Sequence, residues 1–169
     1  LVSDYKNGEW GTSVIMPFGN ITISPTMLAL HYGQSVFEGM KAFKMHNGDI
    51  SVFRIDRHYK RFCKSMERMC MPPMSYEHFV ESIEALLRVD SAWIPASEGS
   101  ALYVRPFVFA SEARFGVKVA DEYKFMIFSG PVGPYYANPL KVKVEDVYRR
   151  AARGGTGSAK CAGNYGAAF

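Results

Sequence analysis

Lys160 stands in a sequence setting that suits a reactive amine. It follows the small residues of Gly154 to Ala159, and Tyr165 comes five positions later. Small neighbours leave room for a flat ligand against the backbone, and a desolvated lysine can act as a nucleophile or form a Schiff base. The ordinary alternative is a solvated surface lysine, since most lysines are exposed. The segment lacks the G-x-x-x-x-G-K-[ST] spacing, so it is not a phosphate-binding P-loop.

A second candidate group is the arginine of an apolar run, Ala101 to Phe109. In a strand, Tyr103, Arg105, Phe107 and Phe109 point to one face. An unpaired guanidinium among aromatic side chains is costly, so it must be paired or face a cavity. Two interpretations stay open at this point: a structural ion pair, or an arginine beside a carboxylate-binding pocket with Tyr103 next to it.

The first predicted helix carries many basic residues, and most of them fit a solvated charged face. One of them could turn inward to bind a phosphate. Arg61 lies beside Phe62 at the edge of the apolar stripe, but the pattern does not separate it from Lys60. The four histidines show no metal-ligand spacing with Cys, Asp or Glu, so no metal site is predicted.

The elements that must position these residues follow from local signals. Asn47-Gly48 predicts a tight hairpin turn between strands at 35–44 and 50–54. Asp56 is expected to cap a helix that runs to about residue 70, and Ser75 is expected to cap a second helix that runs to about residue 89.

Three further strands are predicted at 101–110, 124–129 and 141–148. The segment from Gly130 to Pro139 is rich in Gly, Pro, Tyr and Asn, which is typical of a linker between domains.

Composition excludes several classes of protein. The chain has 169 residues, of which 48% are apolar and 21% charged, so it is not an intrinsically disordered chain. A net charge of +4 suits a small anionic ligand, and no nucleic-acid partner is predicted. No apolar run is long enough for a membrane span and no signal peptide is visible, so no membrane partner is expected. Three cysteines without a C-x-x-C pair indicate a reducing interior, and a cytoplasmic location is expected.

Five motifs in series resemble the N-terminal half of branched-chain amino-acid aminotransferases, which are fold-type IV enzymes dependent on pyridoxal 5'-phosphate (PLP). The resemblance runs in order from about residue 5 to residue 169. It rests on the following segments: Leu30 to Phe43, Phe53 to Arg61, Leu102 to Pro106, Gly130 to Tyr135, and Lys160 to Gly166.

The resemblance implies three residues that bind the cofactor. Lys160 matches the lysine that forms the internal aldimine with PLP and then shuttles a proton. Arg61 matches the arginine that holds the cofactor phosphate, which would decide between Arg61 and Lys60. Tyr165 matches the tyrosine whose phenol binds the cofactor's 3'-oxygen.

The resemblance also implies a substrate pocket. Phe37, Tyr103 and Tyr135 match walls of the pocket for the substrate side chain, and Arg105 matches an arginine near the substrate carboxylate. Tyr32 matches a tyrosine that reaches into the partner subunit's site of a homodimer. The expected reaction is transamination of leucine, isoleucine and valine with 2-oxoglutarate, so the partners are amino acids and 2-oxo acids.

The expected fold is α+β. Residues 1–129 are predicted to form a small domain with a mixed, largely antiparallel sheet and two packed helices. Residues 130–140 are predicted to be an interdomain linker, and 141–169 the truncated beginning of a larger barrel-like α/β domain that binds PLP. The chain by itself is therefore expected to be an inactive fragment. The alternatives are a D-amino-acid aminotransferase or an aminodeoxychorismate lyase of the same fold type, or a non-catalytic small-domain fragment.

Overall fold

The centre of the molecule is a hairpin of two ten-residue strands, β6 (Ala101–Ala110) and β7 (Tyr123–Val132). The computed structural model describes residues 1–136 and 138–166 of the chain. Along β6 the fully buried Leu102, Val104 and Val108 alternate with partly exposed side chains. One face of the hairpin therefore packs into the core, while the other is available to a site.

Five shorter strands complete a seven-stranded sheet around this hairpin. Their order across the sheet is β2-β1-β7-β6-β4-β5, and β3 also pairs with β6. Each registered pair among the described residues is antiparallel. The bounds of these strands are β1 Val2–Lys6, β2 Glu9–Trp10, β3 Ser35–Phe37, β4 Met40–Lys44 and β5 Ile50–Val52.

The predicted turn between β4 and β5 is confirmed. Gly48 has a φ of 91°, which glycine adopts without strain, and the Asn47 side chain accepts a hydrogen bond from the Asp49 amide. The turn sets the register that brings Ala42 opposite Val52.

Two helices of 14 residues each pack on the sheet, α2 (Ile55–Arg68) and α3 (Tyr76–Val89). Ser75 caps α3 as predicted, because its side chain accepts a hydrogen bond from the His78 amide. The prediction that Asp56 caps the first helix is wrong. The N-cap is Arg54 in the left-handed conformation, with a φ of 57°, and Asp56 lies in the first turn, where a carboxylate favours the helix dipole.

Three short elements complete the structure: α1 (Leu28–Tyr32), a single 3₁₀ turn (Ser91–Trp93) and α4 (Gly163–Gly166). The core lies between the sheet and the helices, where Phe62, Phe79, Phe125 and Ile83 are almost completely buried. The expectation of an α+β fold with a largely antiparallel sheet and two packed helices is confirmed.

The strand predicted at 141–148 does not form. Val142 and Val144 are 85% and 87% exposed, and no described strand lies alongside this segment. A strand needs a neighbouring backbone for its N–H and C=O groups, and an alternating pattern without such a partner remains irregular.

The predicted division into domains stays a prediction. Strand β7 continues to Val132, so the first three residues of the predicted linker at 130–140 belong to the sheet. Ala137 of that linker, and residues 167–169 of the segment predicted to begin a larger domain, lie outside the described residues.

Candidate active site around Lys160

The segment that carries Lys160 is held against β3 by main-chain hydrogen bonds. The Phe37 amide donates to the Lys160 carbonyl at 3.0 Å, and the Ala162 amide donates to the Ser35 carbonyl at 3.0 Å. Val36 and Cys161, both almost fully buried, form the isolated antiparallel bridge between these two bonds. This single bridge fixes the segment at the side of the sheet.

Helix α2 fixes the same segment from the other side. The Ser65 hydroxyl is completely buried and accepts a hydrogen bond of 2.8 Å from the Lys160 amide. The same hydroxyl donates to the Arg61 carbonyl one turn earlier in the helix. Both backbone polar groups of Lys160 are therefore paired, which fixes the origin of its side chain.

The side chain of Lys160 meets two aromatic residues. Its Nζ lies 2.9 Å from the Tyr165 hydroxyl and 4.3 Å from the centre of the Phe37 ring. The Phe37 and Tyr165 rings are themselves in contact, with centroids 5.1 Å apart. The structure therefore brings together three of the predicted site residues, Lys160, Tyr165 and Phe37.

Asn164 shapes the glycine-rich turn in front of the lysine, and the sequence analysis missed it. This buried amide donates to the carbonyls of Thr156 and Ala159, at 2.8 Å each, and accepts a hydrogen bond from the Thr156 hydroxyl. From the end of α2, Arg68 donates to the carbonyls of Gly154 and Gly155. Carbonyl groups of a loop with few side chains of its own are thus paired by side chains.

Arg61 forms a bidentate ion pair with Glu38, which the sequence analysis did not single out. The guanidinium donates from Nε to Glu38 Oε1 at 2.5 Å and from Nη2 to Oε2 at 2.8 Å. The Glu38 side chain is fully buried, whereas 53% of the Arg61 side chain is exposed. The hydrogen bonds from Arg61 to Glu38 are the main cause that raises the pKa of Arg61, with a smaller contribution from the nearby Tyr165 phenol.

Arg105 faces the cavity beside Lys160. Its guanidinium donates from Nε and Nη2 to the Tyr103 hydroxyl and lies 4.6 Å from the centre of the Phe37 ring. No carboxylate among the described residues forms an ion pair with it. Of the two interpretations left open by the sequence, the structural ion pair is therefore not found within this part of the chain.

A cavity of about 340 Å³ lies next to the Phe37–Tyr165 pair. Its lining comprises Ser35, Phe37, Arg105, Phe107, Phe128, Ala162 and Tyr165. The walls are mainly aromatic, and one cation is present among them, which suits a small ligand with an apolar body and an anionic group.

Tyr103 stands close to the backbone at Gly39. A Cβ atom at position 39 would lie 2.1 Å from the Tyr103 hydroxyl oxygen, so only glycine leaves room for this tyrosine. Gly39 therefore keeps the hydroxyl in the place where Arg105 binds it.

Three of the predicted pocket residues do not line this cavity: Tyr103, which binds the lining residue Arg105, and Tyr135 and Tyr32. Tyr135 is 84% exposed and contacts Tyr136, and it does not line the cavity. Tyr32 lies at the end of α1 with 46% of its surface exposed. Their predicted roles, as a pocket wall and as a contact to a partner subunit, stay predictions.

Two other findings concern the described residues as a whole. Within residues 1–136 and 138–166, no group of three or more His, Cys, Asp or Glu side chains is placed to hold a metal ion. In the same part of the chain, none of the helices combines the length and the apolar character that crossing a bilayer requires.

Comparison with known proteins gives matches over nearly the whole chain. Residues 35–164 match the family model of class IV amino-transferases. The chain is 44% identical, over its entire length, to branched-chain-amino-acid transaminase 1 of Bacillus subtilis, and covers 49% of that protein. The chain thus spans about half the length of the curated relatives it matches.

Solved structures agree with the fold. The branched-chain aminotransferase of Thermoproteus uzoniensis with norvaline superposes with a TM-score of 0.70 at 21% identity, over 98% of this chain and 52% of that one. The T.th. branched-chain amino acid aminotransferase complexed with N-(5'-phosphopyridoxyl)-L-glutamate gives a TM-score of 0.54 at 26% identity, over 75% of this chain and 40% of that one. The resemblance to branched-chain aminotransferases expected from the motifs is confirmed.

Proposed function

Because the chain belongs to the class IV aminotransferase family, we propose that the full-length protein transfers the amino group of branched-chain L-amino acids to 2-oxoglutarate with the help of PLP. The observation that carries this proposal is the Lys160–Tyr165 pair. The backbone of Lys160 is held by two hydrogen bonds, and its amine contacts Phe37 and Tyr165, which line an aromatic cavity.

The residues present fit PLP. Lys160 offers an amine, Tyr165 offers a phenol beside it, and Arg61 keeps N–H groups free for an anion after two of its five have bound Glu38. PLP bound here would supply the electron sink that makes the α-proton of an amino acid removable. The complex of the T.th. relative with a phosphopyridoxyl-glutamate supports the choice of this cofactor.

In this proposal Lys160 has two tasks. Its Nζ would hold the cofactor in the resting protein and, as a free amine, would accept the proton from the substrate Cα and return it. The Tyr165 hydroxyl would donate to the cofactor's phenolic oxygen, and the Phe37 ring limits the directions open to Nζ. Arg61 would bind the phosphate with the N–H groups that its hydrogen bonds to Glu38 leave free.

The cavity supports a substrate with an aliphatic side chain. Phe37, Phe107 and Phe128 provide apolar walls, so a branched side chain buries its surface without leaving a polar group unpaired. Arg105 is the cation available for the substrate carboxylate, and Tyr103 fixes its guanidinium. The curated relatives named for branched-chain amino acids support the same substrate class.

Three finer points remain part of the proposal. They are the homodimer in which Tyr32 reaches the partner's site, the role of Tyr135 in the pocket, and the cytoplasmic location. Activity is proposed for the full-length protein, and the inactivity of the 169 residues alone stays a prediction.

The test is an amino-transfer assay on the full-length protein. We expect glutamate to form from 2-oxoglutarate with L-leucine, L-isoleucine and L-valine as donors. Lys160→Ala should lower the rate by about a thousandfold, because it removes the group that moves the proton. Lys143→Ala is the matched control, since the Lys143 side chain is 83% exposed and its one ion pair among the described residues is with Glu145. Transfer from D-alanine alone would identify a D-amino-acid aminotransferase and exclude the proposed substrate.

A further inference from the structure

Glu38 is the one fully buried acidic side chain among the described residues. It lies between β3 and β4, where its amide donates to the Pro106 carbonyl of β6. A carboxylate taken out of water is costly unless its oxygens are paired. The residues that pair with the Glu38 oxygens therefore indicate the role of this buried carboxylate.

Four donors meet the two oxygens of Glu38. Oε1 accepts from Arg61 Nε, and Oε2 accepts from Arg61 Nη2, from His58 Nδ1 at 2.8 Å and from the Gly39 amide at 3.3 Å. Because a carboxylate oxygen only accepts, His58 Nδ1 carries the proton. The two side-chain partners, His58 and Arg61, lie one turn apart on α2, so the carboxylate binds one face of that helix.

The bidentate contact with Glu38 determines which N–H groups of Arg61 remain available to bind another group. The Nε and Nη2 edge faces Glu38, so Nη1 and one proton of Nη2 are left for another acceptor. The half-exposed guanidinium can neither rotate nor turn outward without leaving Glu38 Oε1 without a donor in the interior. The direction of the free donors is consequently fixed by the ion pair with Glu38.

The same helix fixes the lysine. Ser65, one turn after Arg61, binds the Arg61 carbonyl and the Lys160 amide. Helix α2 thus holds the backbone of both residues, that of Arg61 within the helix and that of Lys160 through Ser65 one turn later. The ion pair with Glu38 then fixes the orientation of the Arg61 side chain relative to this helix.

We propose that Glu38 is a positioning residue, which orients Arg61 so that its remaining N–H groups bind the phosphate of the cofactor. This inference rests on the proposed function, because it assumes that PLP binds at Lys160 and Arg61. It adds a role for a residue that does not touch the cofactor. Glu38 acts by orienting the Arg61 guanidinium. His58 holds the carboxylate in place by donating a hydrogen bond to Oε2.

The test compares two ligands that differ only in the phosphate. Apo full-length protein is titrated with PLP and with pyridoxal, and the two dissociation constants are measured by absorbance. Glu38→Gln keeps the shape but loses the charge, so we expect PLP affinity to fall by about tenfold while pyridoxal affinity changes by less than about twofold. The matched control is Glu67→Gln, which removes an exposed carboxylate from α2 and should change neither constant.

Double variants separate positioning from general loosening. If Glu38 acts through Arg61, Glu38→Gln added to Arg61→Gln should cause no further loss of PLP affinity. Equal losses of PLP and pyridoxal affinity in Glu38→Gln, or additive losses in the double variant, would overturn the inference. Wild-type protein that binds neither ligand would overturn the proposed function as well, so the two failures are distinguishable.

If Glu38→Gln does not fold, a variant of its half-exposed partner Arg61 tests the same inference. Arg61→Lys keeps the charge beside Glu38 but cannot form the fork. We expect it to bind PLP as weakly as Arg61→Gln, because an unoriented point charge does not replace the fixed N–H groups. If lysine instead preserves PLP affinity, only the charge matters and the positioning role is excluded.

Discussion

Helices α2 and α3 have the same length and pack on the same sheet, yet they use their polar residues differently. Each buries one serine. Ser82 of α3 bonds to the Ser13 side chain, which also binds His78, so its contacts join one surface loop to the helix. Ser65 of α2 instead binds the main chain of a segment 95 positions away, and Arg61 and Arg68 of the same helix pair with Glu38 and with the glycine-rich turn.

The difference shows how one architecture serves two purposes. The contacts of α3 are between side chains, which tolerate small shifts because a hydroxyl can rotate. The contacts of α2 are made to backbone groups and through a bidentate fork, and both require a definite geometry. A helix that places reactive groups is therefore distinguished by what its polar residues bind, and its length or apolar face would not reveal it.

The serine pair provides the largest expected difference. Ser65→Ala leaves the Lys160 amide without its acceptor, so the lysine moves, and we expect kcat/KM of the full-length enzyme to fall about tenfold. Ser82→Ala is the comparison variant, because Ser13 keeps His78 as a partner, and kcat/KM should stay the same. Equal effects of the two variants on kcat/KM would show that both serines are merely structural.

The arginine pair tests the hold on the glycine-rich turn. Arg68 donates to the carbonyls of Gly154 and Gly155, whereas Arg88, in the last turn of α3, pairs with Glu84 on its own helix. Removing the first contact in Arg68→Gln should speed amide hydrogen exchange within residues 154–158 by about threefold to tenfold. Arg88→Gln should leave that exchange unchanged, and faster exchange in both variants would contradict a specific contact.

A histidine of α3 predicts a smaller effect on stability. Burial lowers the pKa of His78, and the charge of Glu81 only partly opposes this. The neutral form is thus favoured in the folded state, while the unfolded chain takes up a proton near pH 6.5. The contribution of His78 to stability is present above that pH and is lost as the pH falls through it toward the lowered value.

Chemical denaturation at a series of pH values measures this effect. We expect His78→Gln to reduce the decline in the free energy of unfolding between about pH 7 and pH 5. His46→Gln, in the exposed β4–β5 turn, is the control and should leave the decline as it is. An unchanged profile in His78→Gln would mean that other groups cause the decline.

Local signals explain much of what the sequence predicted. The Asn47-Gly48 turn and the Ser75 cap depend on neighbouring residues only, and both are present. The family motif assigned Lys160 and Tyr165 to one cofactor site, and the structure places the two side chains in contact, while their roles stay predictions. Glu38, Ser65 and Asn164 were missed because a buried polar residue is recognised by its partners, and those of Glu38 and Ser65 are distant in sequence.

The failed strand at 141–148 has a related cause. Lysine and valine alternate there as polar and apolar residues do in a half-buried strand. A strand also needs a second backbone to pair with, and the alternation of one segment does not show whether such a partner exists. The helix start at Arg54 was missed for another reason. A positive φ is uncommon for a residue other than glycine, and the arginine side chain of Arg54 gives no indication of it in the sequence.

The bridge between Val36 and Cys161 has a consequence for the order in which the chain folds. The turns, the hairpin of β6 and β7 and the two helices form from contacts close in sequence, which are fast because little loop entropy is lost. The Lys160 segment can add to β3 only after α2 and the sheet edge exist to receive it. We therefore expect the Lys160 segment to be added late in folding, after the sheet and α2 have formed.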